Sequence, residues 1–126
     1  MKRIEKIARD CASGYYNDLV ANCEDLEEGA NFEEYFQTNA YNAYSIDKAV
    51  NGNALYFTLM FLTNKLDWKN TIPKFEDRSF RNLAYKLQLC YRKNPYHNQI
   101  HAADVVQNLY FMLNKQDVKQ VCQMSQ

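Results

Sequence analysis

The stretch Asn94-Pro95-Tyr96-His97-Asn98-Gln99-Ile100-His101-Ala102-Ala103-Asp104-Val105-Val106-Gln107 divides two helical patterns and holds both histidines of the chain. Pro95 disfavours helical backbone at Asn94 and so ends the periodic run before it. In that run Phe80, Leu83, Ala84, Leu87, Cys90 and Tyr91 recur at i, i+3, i+4 and i+7, which predicts a helix from about Glu76 to Tyr91. Beyond the proline a second helix is expected from about Asn98 to Leu113. Val105, Val106, Leu109 and Leu113 should face inward, and His97, His101 and Asp104 should form a stripe on another face.

The same logic extends towards the N-terminus. After the Asn51-Gly52 turn, Asn53 is placed to cap a helix in which Leu55, Leu59, Leu62 and Leu66 fall on one stripe. Tyr56, Phe57, Met60 and Phe61 widen that stripe so far that the helix should be packed on most sides. Trp68 to Pro73 reads as a connection, with Pro73 fixing a break before the next helix. Met1 to about Val20 carries Ile4, Ile7, Ala8 and Cys11 at helical spacing, with a possible interruption at Ser13-Gly14. Glu24, Asp25, Glu27, Glu28 and Gly29 make an acidic turn region, and Asn31 is placed to cap a short helix through Phe36. No segment alternates as a strand would. The expectation is an all-α helical bundle with irregular connections.

Composition narrows the function classes. The 126 residues are one domain's worth, enough for a single modest core. Lys and Arg number 15, as do Asp and Glu, so the formal net charge is zero and no long-range field attracts nucleic acid or an anionic membrane. Cys11, Cys23, Cys90 and Cys122 are scattered, with no C-x-x-C pair and no secretory signal, which argues for reduced thiols and a cytoplasmic setting. The longest apolar run, Ala54 to Leu62, is interrupted by Thr58 and too short for a membrane span. With 3 glycines and 2 prolines there is no Gly-rich phosphate loop, so P-loop and dinucleotide chemistry drop out. No internal repeat is visible.

Chemistry therefore concentrates at the histidines. Residues at i and i+4 lie about one helical turn apart, and Asp104 follows His101 by three, so the stripe can address one ligand. Imidazole titrates near neutral pH and is a common metal ligand, so the pattern suits proton transfer, metal ligation or one of each. An ordinary solvated helix face has the same spacing.

Tyr-His-Asn-x-x-His-Ala-x-Asp-Val-x-Gln, Tyr96 to Gln107, closely resembles the signature of the class I cyclic nucleotide phosphodiesterases. Tyr44-Ser45-Ile46-Asp47, the run Asn51 to Phe57, Lys65-Leu66-Asp67 and Tyr91-Arg92-Lys93-Asn94-Pro95 resemble successive segments before that signature, so the resemblance covers about Tyr41 to Leu113. It implies residues 1 to 40 as an unassigned helical segment, and residues 41 to 126 as the N-terminal portion of an HD-type phosphodiesterase catalytic domain. The implied reaction is metal-dependent hydrolysis of cyclic AMP or cyclic GMP to the 5′-monophosphate in signal transduction.

By position in that motif, the resemblance implies His97 as proton donor to the leaving ribose oxygen and His101 as a ligand of the zinc-type metal. Tyr96 would line the substrate pocket, and Asn98 would order the signature turn beside it. From helical geometry, Asp104 is expected to hold an imidazole tautomer through an N–H to carboxylate bond. The implied cofactors are two divalent metals per complete domain, zinc and magnesium or manganese. The family's other ligands, a downstream His-Asp pair and a later aspartate, have no counterpart before Gln126, nor has the glutamine that holds the purine. Asp117 to Gln126 keeps helical register without a stop signal. The chain thus reads as a fragment, inactive alone, whose core is covered by the missing C-terminal half or by a protein partner. The competing reading is a non-catalytic helical interaction protein derived from the same fold. A small histidine-based metal carrier is a third, weakened by having two histidines and dispersed cysteines.

Overall fold

A computed structural model describes residues 35–38, 41–115 and 120. The helix expected over Met1 to Val20, the acidic turn at 24–29, the Asn31 cap and most of the 117–126 segment lie outside those residues. Five helices have their bounds within them: α1 Ala43–Ala49, α2 Ala54–Lys65, α3 Trp68–Thr71, α4 Asp77–Cys90 and α5 Gln99–Leu113. Tyr35 and Phe36 are helical as well, and no strand occurs among the described residues. The all-α expectation holds.

α2 is the central helix and packs against each of the other four, most extensively against α5 and α4. Ala54 to Thr58, Met60, Leu62 and Thr63 are all buried, on every side of the helix. A helix apolar all round has no solvent face to offer and is stable only when surrounded. Tyr56, Phe57, Met60 and Leu62 form the main core with Phe36, Ile46, Val50, Ala84, Tyr85 and Tyr110. A smaller cluster joins Ala54 and Leu55 to Ala103 on α5, where two methyl side chains allow the helices to approach closely. Two of the buried polar side chains pair across the core: Thr58 Oγ1 lies 3.3 Å from Tyr41 Oη, and Gln107 Nε2 donates to the Phe36 carbonyl at 2.7 Å.

Helix boundaries follow the sequence reading at both sides of Pro95. Glu76 and Tyr91 are the caps of α4, and Asn98 is the N-cap of α5, its side chain accepting from Ile100 N and His101 N. Between α1 and α2, Asn51 and Gly52 take φ of 55° and 81°, the left-handed region that asparagine tolerates and glycine enters freely.

Five expectations need correction. The Trp68 to Pro73 connection contains the short helix α3, with Trp68 stacked edge-on against Phe75 and Phe80. Asn53 is the N-cap of α2 by position, but its side chain makes no cap bond, donating instead to the Val50 and Asn51 carbonyls. In α4 the buried residues are Ala84, Tyr85 and Gln88, while Leu83, Leu87, Cys90 and Tyr91 are exposed. In α5 they are Ala103, Gln107 and Tyr110, while Val105 and Leu109 are exposed. Both helices are rotated about one residue, roughly 100°, from the face that apolar spacing selects. The inner faces combine an alanine that permits close approach, a glutamine that hydrogen-bonds backbone and a tyrosine that packs ring to ring, Tyr85 on Tyr56 and Tyr110 on Phe36. Leu66, at the end of α2, is exposed too.

Candidate functional site

The site is built at the entry to α5. Asn98 accepts from Ile100 N and His101 N at 3.0 Å each, and its Nδ2 donates to the Asn94 carbonyl at 3.0 Å. One side chain thereby satisfies two orphan donors of the helix and anchors the preceding loop. Asn98 N also donates to the Tyr96 carbonyl at 2.9 Å, which tightens the bend that carries His97.

His97 consequently precedes α5 and does not lie on it, so the expected three-residue helical stripe is a loop histidine followed by two helical residues. The bend still brings the rings together. His97 and His101 have centroids 5.9 Å apart and nearly perpendicular planes. Tyr96 fills the angle between them, 4.4 Å from His101 at a 34° tilt and 5.0 Å from His97 edge-on. Tyr96 and His97 are exposed, and His101 and Asp104 are half-buried.

Two clefts flank this turn. One of about 290 Å³ is lined by Tyr41, Asn42, Tyr44, Tyr96, His101 and Asp104, among others. The other, about 460 Å³, is lined by Asp47, Gln88, Arg92, Lys93, Asn98 and Gln99, among others. Tyr96 and Asn98, expected to share a substrate pocket, thus line different clefts. Asp104 shares the smaller cleft with His101, and among the described residues no hydrogen bond joins its carboxylate to either imidazole; its carbonyl accepts from Asn108 Nδ2.

A catalytic zinc takes about three protein ligands. Among the described residues no three His, Cys, Asp or Glu side chains converge. These residues alone do not fit a zinc or two-metal centre, and His101 would need ligands from elsewhere.

The first turn of α2 carries groups that the sequence reading passed over. Ala54 N donates to Asp47 Oδ1 at 3.1 Å, Leu55 N to Gln99 Oε1 at 2.9 Å, and Tyr56 N to Gln88 Oε1 at 2.9 Å. Three helices each send one side chain to cap a fourth. Gln88 Nε2 closes the arrangement by donating to Asn53 Oδ1 at 2.9 Å. A visible signal existed: Gln88 follows Ala84 by four and Gln107 follows Ala103 by four, so each glutamine shares a helix face with a small residue.

With this geometry in place, comparison with known proteins gives the coarse assignment. The chain is 30% identical over 98 residues to the probable 3′,5′-cyclic phosphodiesterase pde-1 of Caenorhabditis elegans, covering 76% of this chain and 15% of the nematode protein. It is 30% identical over 76 residues to 3′,5′-cyclic-AMP phosphodiesterase 4 of Dictyostelium discoideum, covering 60% of this chain and 7% of that protein. The chain is distantly related to the 3′,5′-cyclic phosphodiesterases. No family model matches it, and no solved structure does. Among the described residues no helix is long and apolar enough to cross a membrane.

Proposed function

We propose that this chain contributes the proton-donor end of a cyclic nucleotide phosphodiesterase site, acting on cyclic AMP or cyclic GMP. In the reaction, water adds to phosphorus, the bond from phosphorus to the ribose 3′ oxygen breaks, and that oxygen takes a proton to leave as a hydroxyl. His97 is the donor in this reading: its exposed imidazolium gives up the proton and is recharged from solvent. Tyr96 supplies an aromatic wall beside it, and Asn98 holds the bend that presents it. His101 is assigned as one ligand of a divalent metal, zinc with magnesium or manganese, whose other ligands are not among the described residues. Asp104 is assigned to orient the His101 imidazole from within the shared cleft.

The observation that carries this reading is the packing of Tyr96, His97 and His101 within 4.4 to 5.9 Å of one another beside a cleft. It occurs in a chain 30% identical to a 3′,5′-cyclic phosphodiesterase over 98 residues. The test is complementation. The full chain with zinc and magnesium should give no cyclic nucleotide hydrolysis above blank. Mixed with the nematode relative lacking the 98 residues that match this chain it should hydrolyse the substrate, and His97→Ala should lower that rate by about 10²- to 10⁴-fold. An inactive mixture, where the nematode protein's own matching segment restores activity, would refute the reading.

The exposed Leu83, Leu87, Leu89, Val105, Leu109 and Met112 favour the second reading, a non-catalytic helical interaction protein. Complementation separates the two, since this reading expects no turnover from the mixture.

A further inference from the structure

Gln99 occupies the first position of α5, two residues after His97 and two before His101. It also makes the longest-range side-chain connection to the first turn of α2. Its Oε1 accepts from Leu55 N at 2.9 Å, and its Nε2 donates to Asp47 Oδ1 at 2.7 Å and, more weakly, to the Gly52 carbonyl at 3.4 Å. Asp47 Oδ1 meanwhile accepts from Ala54 N, so Gln99 is bound to a carboxylate already fixed to the same helix end. The amide's two ends are used in opposite senses. A carboxylate at this position would accept from Leu55 N but meet Asp47 as a like charge, and an alkyl chain would do neither.

We infer that Gln99 is a positioning residue for the histidine pair: its amide, held between Leu55 N, Asp47 and Gly52, sets the bearing of the first turn of α5 and so the stacking of His101 on Tyr96. This inference deepens the proposed function, resting on the reading of His97 and His101 as site residues. Asn98 fixes the bend internally, but its side-chain partners all belong to residues 94–101 and move with it. Gln99 refers that bend to the core, through the buried helix α2 and the C-terminal half of α1. Ile100 and Ala103 hold α5 against α2 by packing, which is non-directional, and Gln99 adds the directional tie at the first turn.

The test uses the full chain labelled with ¹³C at histidine Cε1, which yields two signals because there are two histidines. Tyr96→Ala removes the neighbouring ring and defines the unstacked position of the His101 signal. Gln99→Leu should move that signal more than half of the way to it. Gln99→Glu, isosteric and retaining the Leu55 N acceptor, should move it in the same direction, and serves if the leucine variant does not fold. Gln88→Leu removes an equivalent cap from α2, that of Tyr56 N at 2.9 Å, but from α4, and should leave both histidine signals in place. Histidine signals unmoved by both Gln99 variants would overturn the inference. So would an equal movement in Gln88→Leu, since the effect would then be general loosening of α2. The readout needs no substrate, so a failed complementation experiment would leave it standing.

Discussion

At the scale of single residues, two buried polar side chains, Tyr110 and Gln88, each make a measurable demand. Tyr110 is nine-tenths buried beneath Phe36, their ring centroids 5.6 Å apart, and desolvation raises its phenol above the ordinary tyrosine value. The folded state therefore holds that proton more tightly than the unfolded chain does. The resulting stability is fully present below the unfolded pKa of about 10 and is lost as pH rises through the folded value. Tyr110→Phe cannot ionise, so its urea midpoint should fall less steeply than the parent's as pH is raised above about 10. Parallel curves for the two proteins would remove Tyr110 from the alkaline transition. Gln88 is the corresponding case for hydrogen bonding. Gln88→Leu leaves Tyr56 N without its 2.9 Å acceptor inside the core, and should cost about 1–3 kcal/mol in denaturant unfolding. The histidines were legible at this scale because a rare residue type repeated within a specific motif. The glutamines were not, because a glutamine on a helix face reads as solvated until its partner, 32 to 71 residues away, is known.

At the scale of elements, boundaries were legible and orientations were not. Pro95 and Asn98 mark the end of α4 and the start of α5 by local chemistry, the one by excluding helical backbone before it and the other by capping. Which face turns inward is a property of the neighbour. α2 fills the space beside α5 with Ala54 and Leu55, leaving room at the contact for Ala103 and not for Val105 or Leu109. Ala103→Leu should overpack that contact and destabilise the fold by about 1–3 kcal/mol. Val105→Ala, at an exposed position two residues on and nearly opposite on the helix, should change stability by less than about 0.5 kcal/mol. Comparable losses in the two variants would mean that α5 packs through the face chosen by apolar spacing. The bend at His97 is likewise an element-level result: the histidine spacing suggested one helical face, whereas capping by Asn98 excludes His97 from the helix and still brings its ring to Tyr96.

At the scale of the whole molecule, apolar side chains on the outer faces of α4 and α5 leave the chain prone to association. Leu83, Leu89, Val105, Leu109 and Met112 are each about half exposed. Sedimentation of the full chain should show self-association, and the double substitution Leu83→Glu with Leu109→Glu should shift it towards monomer; a sharply monodisperse parent monomer would contradict this. The sequence alone determined that the protein is helical, that Pro95 parts α4 from α5, and that both histidines fall beside Tyr96 at the start of α5. It could do so because periodicity, capping and motif spacing are encoded within a few turns of chain. Tertiary structure alone decided which helix faces are buried, that His97 stands off its helix, and that Asp47, Gln88 and Gln99 close the first turn of α2. Those outcomes depend on which distant backbone donors lack a partner, and only packing brings an acceptor to them.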